Sequence, residues 1–130
     1  MATVTAAISL TSTDLLSDNL AVSVNTSITA ANTTGLARRP VTATAVHADA
    51  TTLFTASDFS APAYLYIKNT DSTATDYIYV YDDTTSGDPV ILKLAGGDWA
   101  FMPLNAGLTL KAYATTNPTV VEFMVIGTDA

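Results

Sequence analysis

Ala63-Tyr-Leu-Tyr-Ile-Lys-Asn69 and, shortly after it, Asp76-Tyr-Ile-Tyr-Val-Tyr81 decide the fold. Leu65 and Ile67 fall on one side of an extended chain, and Tyr64, Tyr66 and Lys68 on the other. Ile78 and Val80 are opposed in the same way to Tyr77, Tyr79 and Tyr81. Successive side chains of a strand point to opposite faces, so this period of two sorts aliphatic from aromatic cleanly. A helical period of 3.6 would mix the two sets. Both stretches are strands with an aliphatic core side.

The same alternation recurs on either side. Strands are expected at Thr3–Leu10, Leu20–Thr29, Pro40–Val46, Thr51–Thr55, Pro89–Leu94, Trp99–Met102, Leu108–Ala114 and Val120–Gly127. Turn-forming clusters separate them: Ala31–Gly35, Asn69–Thr75, Gly96-Gly97-Asp98, Asn105–Gly107 and Thr115–Pro118, with Ser57–Pro62 read as a loop. Only Thr13–Asn19 has room for a short helix. About eight to ten short strands with turn signals every 8 to 12 residues predict an all-β protein, an antiparallel β-sandwich of jelly-roll-like type. Residues 1–130 are expected to form a single domain, with 1–35 as a peripheral arm or edge region, because aromatics are fewer there.

Composition agrees and excludes several functions. The 130 residues hold no cysteine, so disulfides, thiol catalysis and thiolate metal sites are out. Lys and Glu, the usual helix-surface residues, give way to Thr, Ser and Ala, and Glu122 is the sole glutamate. Thr is β-branched and suits a pleated surface. A net charge of −7 with five basic residues argues against nucleic acid, whose phosphates need a basic footprint, and against an anionic membrane. No apolar run approaches the roughly 18 residues that cross a bilayer. The N-terminus lacks the basic start and compact apolar core of a signal peptide. The sequons at Asn25 and Asn32 then read as chance matches in a Thr-rich chain.

The chemistry-bearing residues are sparse. His47 is the only histidine and has no G-x-S-x-G stretch to serve. The aspartates lie mostly in turns, where their side chains cap the backbone. No enzymatic site and no cofactor are expected. Asp82, Asp83 and Asp88, with Ser86 between them, offer oxygens of the kind calcium takes, but without EF-hand spacing; a hairpin turn is the plainer reading. Gly96-Gly97 reads as a tight turn needing positive φ, since no helix start or lysine follows to cradle a phosphate.

Tyr64, Tyr66, Tyr77, Tyr79 and Tyr81 are the candidate interface residues. If the two opening strands pair as a hairpin, all five share one sheet face. That face is then either cross-strand packing, a protein contact surface rich in a hot-spot residue type, or a sugar-stacking platform. Arg38 and Arg39 are a lone basic pair, either suited to docking on an acidic neighbour or simply solvated ahead of a strand.

The order Y-L-Y-I-K-N-T-D, a Tyr/Val strand, V-I-L-K-L-A-G-G-D-W-A-F-M-P-L and the closing G-L-T-L-K-A-Y-A-T-T-N-P-T-V-V-E-F-M-V-I-G-T-D-A resembles the small virion structural proteins of tailed bacteriophages. The resemblance covers Ala63 to Ala130, about half the chain. It implies a jelly-roll-like sandwich that decorates or cements the outer capsid surface, made in the bacterial host cytoplasm. The implied partners are the major capsid protein and further copies of the chain, a trimer being one such oligomer. A tail, baseplate or fibre-associated part, or a carbohydrate-binding attachment module, are the alternatives.

Overall fold

The computed structural model describes residues 2–44, 49–84, 87, 89–105, 107–115 and 118–129. Its strands are β1 (Ala2–Ser12), β2 (Leu20–Ala30), β3 (Asn32–Thr33), β4 (Ala37–Val41), β5 (Thr51–Phe54), β6 (Phe59–Asn69), β7 (Ile78–Asp82), β8 (Val90–Leu94), β9 (Trp99–Leu104), β10 (Leu110–Ala114) and β11 (Thr119–Asp129). The chain divides into two compact units, residues 1–31 and 32–130.

In the larger unit two antiparallel sheets share one core. One runs β5-β10-β7-β8; the other runs β3-β11-β6-β9, with β4 also along β11. The alternation read from the sequence is observed along β6, and along β7 as far as Val80, where the ladder to β8 shifts register. Ala63, Leu65 and Ile67 of β6 point inward and are buried, as are Val121, Phe123 and Val125 of β11. From the other sheet Ile78 and Val80 of β7 meet Leu110, Ala112 and Ala114 of β10 in the same cluster, with Phe54 and Leu94 at its flanks. Burying each large aliphatic side chain stabilises the fold by about 1.5–3 kcal/mol, so this interior is what holds the two sheets together. The protein is an all-β antiparallel sandwich.

The strand order has a simple rule. The chain turns back between β7 and β8, and each of the four strands leading into that turn pairs with its counterpart after it: β7 with β8, β6 with β9, β5 with β10 and β4 with β11. Lateral pairing of β6 with β11 and of β7 with β10 then builds the two sheets.

Local departures from expectation have local causes. The segment 57–62 was expected as a loop, but only Ala56–Asp58 forms a 3-10 turn and β6 begins at Phe59. Pro62 is tolerated because the ladder is irregular there: Gly127 faces Ala63 while Thr128 faces Ser60, leaving residues 61 and 62 as a bulge. The strand expected from Pro40 begins earlier, at Ala37, and ends at Val41. Gly35, at φ 71°, turns the chain between β3 and β4, and Thr34 fills the gap by accepting from Val125 N through Oγ1.

The smaller unit is one hairpin. β1 and β2 pair without interruption from Ala2↔Ala30 to Ser12↔Leu20. No helix forms over 13–19. Ser12 Oγ instead accepts from the backbone N–H groups of Asp14 and Leu15, which favours a turn over a helical start.

Candidate docking surface

Strand register determines which side chains share a face. In the β11-β6-β9 sheet, Lys68 lies opposite Trp99 on one side and Glu122 on the other, and Glu122 lies opposite Arg38 of β4. The next row is Met124, Tyr66 and Phe101, and the next Ile126, Tyr64 and Pro103. These rows form the outer face, because the residues between them fill the core. Tyr64 stacks on Phe101 with centroids 6.0 Å apart. Trp99 closes the strip at the β9 edge with 56% of its surface exposed.

One polar cluster anchors this face. Arg38 Nε donates to Glu122 Oε2 at 2.8 Å and Tyr66 Oη donates to Glu122 Oε1 at 3.0 Å. Hydrogen bonds from Arg38 and then Tyr66 hold the Glu122 carboxyl below its ordinary range, against a smaller opposing effect of burial. Burial first, then the bond to Glu122, pushes the Tyr66 phenol up. A carboxyl depressed on folding adds stability that is present above its unfolded pKa and lost as pH falls through the folded one. The stability difference between wild type and Glu122→Gln, read from urea midpoints, is therefore expected to be largest near neutral pH and to shrink on acidification below pH 4. A difference that stays constant across that range would show that the cluster carries no charge-dependent stability.

Arg39 points the other way. Its guanidinium donates to the Thr52 carbonyl at 2.6 Å and sits 5.9 Å from the Phe123 ring centroid, so it clasps the sandwich edge between β4 and β5. The two arginines thus serve different faces, as the alternation of a strand requires.

The five tyrosines do not form one face. β6 pairs with β11 and β9, while β7 pairs with β10 and β8, so the two strands lie in different sheets. The connection over 70–77 crosses between sheets instead of closing a hairpin. Asn69 and Asp71 hold it: Asp71 N donates to Asn69 Oδ1, and Thr73 N to Asp71 Oδ1. Tyr64 and Tyr66 belong to the aromatic strip above. Tyr79 lies on the second sheet and stacks on Tyr113 at 5.2 Å, a tyrosine absent from the expected set. Lys93 Nζ lies 4.2 Å from the Tyr77 centroid and 5.6 Å from that of Tyr79. Tyr81 is fully buried and tilts against Tyr113. These rings are occupied with one another; such pairs are worth about 0.5–1.5 kcal/mol beyond their burial, and the lysine contacts about 0.5–1 kcal/mol.

The aspartate run behaves as turn chemistry. Asp82 is buried and caps the turn, accepting from Thr84 N at 2.8 Å and from the Thr84 hydroxyl. Asp83 pairs with Lys111 at 3.0 Å. Ser86 and Asp88 lie outside the described residues, as does His47. Among the described residues no group of three or more His, Cys, Asp or Glu side chains is placed to hold a metal ion.

Trp99, Phe101 and Met124 were not among the expected site residues. Their alternation was legible, W-A-F-M on one strand and E-F-M-V on another. Their neighbours were not, because both strands pair with the distant β6. No protein-family model, no curated protein and no solved structure matches the chain.

Proposed function

We propose that the chain is a capsid decoration or cement protein of a bacteriophage virion, a non-enzymatic part that binds the major capsid protein on the outer shell. The observation that carries this reading is the outer face of the β11-β6-β9 sheet. Trp, Tyr, Phe, Met and Arg, the residue types enriched at contact hot spots, gather there in adjacent rows of one sheet face. The pairing of β4 to β7 with their counterparts across the β7–β8 turn supports a jelly-roll-like reading, an architecture that viral shells and lectins share, and with it the resemblance to virion proteins. The action would be mechanical: repeated weak contacts with neighbouring capsid subunits add up by multivalency and raise the energy needed to part them.

The exposure of Trp99 beside Tyr64 and Phe101 favours one second reading, a carbohydrate-binding attachment module in which these rings stack on sugars.

One experiment separates the two. Shells assembled from the major capsid protein of the same virion should bind it in a sedimentation assay. Trp99→Ala should weaken that binding at least tenfold, as for an interface anchor worth about 2 kcal/mol. Its melting temperature should barely move, because the ring is largely solvent-exposed. A glycan array should stay blank. Strong glycan signals lost in Trp99→Ala, with no binding to shells, would replace the decoration reading by the attachment reading.

A further inference from the structure

The β1–β2 hairpin is sharply two-sided. Its register places Val4, Ala6, Ile8 and Leu10 on the same face as Leu20, Val22, Val24 and Ile28, with Ile8 opposite Val24 and Leu10 opposite Val22. The other face is Thr3, Thr5, Ala7, Ser9 and Thr11 against Ala21, Ser23, Asn25, Ser27 and Thr29. Toward the loop the apolar face is open to solvent: Leu10 is 54% exposed and Val24 59%, and in the loop Leu15 is 69% exposed. With Ile8 and Val22 the strand side chains present on the order of 300 Å² of aliphatic surface, comparable with the largest patch a monomer exposes. A two-stranded ribbon alone is marginal in water and needs a cover for its apolar side.

We infer that this face is covered by the same face of a second copy, the two hairpins packing as a two-layer sandwich. Three observations point to a copy of this chain. Apart from Thr26 and Ser12 the face is aliphatic, without the aromatic and arginine anchors that mark contacts with other proteins, and obligate contacts between identical chains are the more apolar class. Neither strand carries a charge; Asp14 and Asp18 in the loop are the hairpin's only ionised side chains. A chain of net charge −7 repels its copies, and this uncharged ribbon is a place where two can meet without that cost. Finally, an open patch on the order of 300 Å² supplies over a third of the ~800 Å² per partner that a stable interface covers, and Leu20 at its loop end extends it. A shared patch of this kind is isologous, so the expected product is a dimer or a multiple of dimers.

The inference stands on the hairpin and is independent of what the aromatic strip binds. The chain should therefore run as a dimer, or a multiple of one, in size-exclusion chromatography with light scattering at micromolar concentration. Leu10→Asp combined with Val24→Asp should weaken self-association at least tenfold. Ser9→Asp combined with Ser23→Asp, on the opposite face, should leave it unchanged. Cooperative urea unfolding followed by Trp99 fluorescence should be retained in both, which separates loss of contact from loss of the sandwich. Because the chain has no cysteine, Val24→Cys should give a disulfide-linked dimer on mild oxidation and Asn25→Cys should not. A monomeric wild type, or equal cross-linking at positions 24 and 25, would overturn the inference. A dimer that fails to bind capsid shells would leave it standing and remove the decoration reading instead.

Discussion

Asn69→Ala is expected to destabilise the sandwich by about 3 kcal/mol, lowering its melting temperature by roughly 12–24 °C. Asn69 is fully buried at the end of β6. Its Nδ2 donates to the carbonyls of Asp76 at 2.8 Å and Leu94 at 3.0 Å. Its Oδ1 accepts from Asp71 N at 3.0 Å and from Thr119 Oγ1 at 3.4 Å. One amide thus joins the crossing loop, the end of β8 and the start of β11. Truncation strands two carbonyls and an N–H in a place where water has poor access, and each such group costs about 1–3 kcal/mol. The expected net is lower than the sum because part of the loop can relax toward solvent. Thermal and urea unfolding monitored by circular dichroism measure it, and a loss below about 1 kcal/mol would mean that the loop re-forms its bonds without the amide.

Gly96→Ala is expected to cost about 3 kcal/mol, the upper part of the range for overpacking. A Cβ at this position would meet the Thr73 carbonyl oxygen, would lie 2.7 Å from its carbon, and would lie 3.0 Å from the Asp71 oxygen. These are backbone atoms of the crossing loop, which Asn69 and Asp71 hold in place, so no side chain can swing aside. Gly97 is a different case. Nothing crowds its Cβ position, but its φ of 86° is left-handed, so Gly97→Ala should cost only about 1–2 kcal/mol. A ranking with Gly97→Ala above Gly96→Ala in unfolding midpoints would contradict this account. Because Asn69 and Gly96 fasten the same loop, the double variant should lose less than the two single losses added together.

These residues also show where sequence reading stops. The Gly96-Gly97 turn was legible, and positive φ was the right reason for Gly97; the close approach that requires Gly96 depends on a loop some twenty residues earlier in the chain. Leu65, Ile67, Ile78 and Val80 were legible as core because their period of two is strict. The partner of each strand was not. Alternation assigns a face within a strand, while the choice of neighbour here follows long-range pairing, so five tyrosines expected together were divided between two sheets. For the same reason Arg38 was legible as part of a lone basic pair, while its bond to Glu122, which lies far along the chain, was not. Tyr113 escaped because it faces Tyr79 across a ladder that only the folded chain brings into being.

The pairing of each strand with its counterpart across the β7–β8 turn has a consequence for synthesis. Pairs that close near the turn involve short loops, but β4 must wait for β11, which also lies between β6 and the β3–β4 edge. Translation proceeds at about 5–20 residues per second, and until residues 119–129 emerge from the ribosome one sheet lacks its central strand. Nascent chains must therefore keep β6 and β4 from wrong partners for several seconds. Closure of the sandwich then follows the emergence of β11, is governed by long-range contacts and is expected to be slow for the size of the protein.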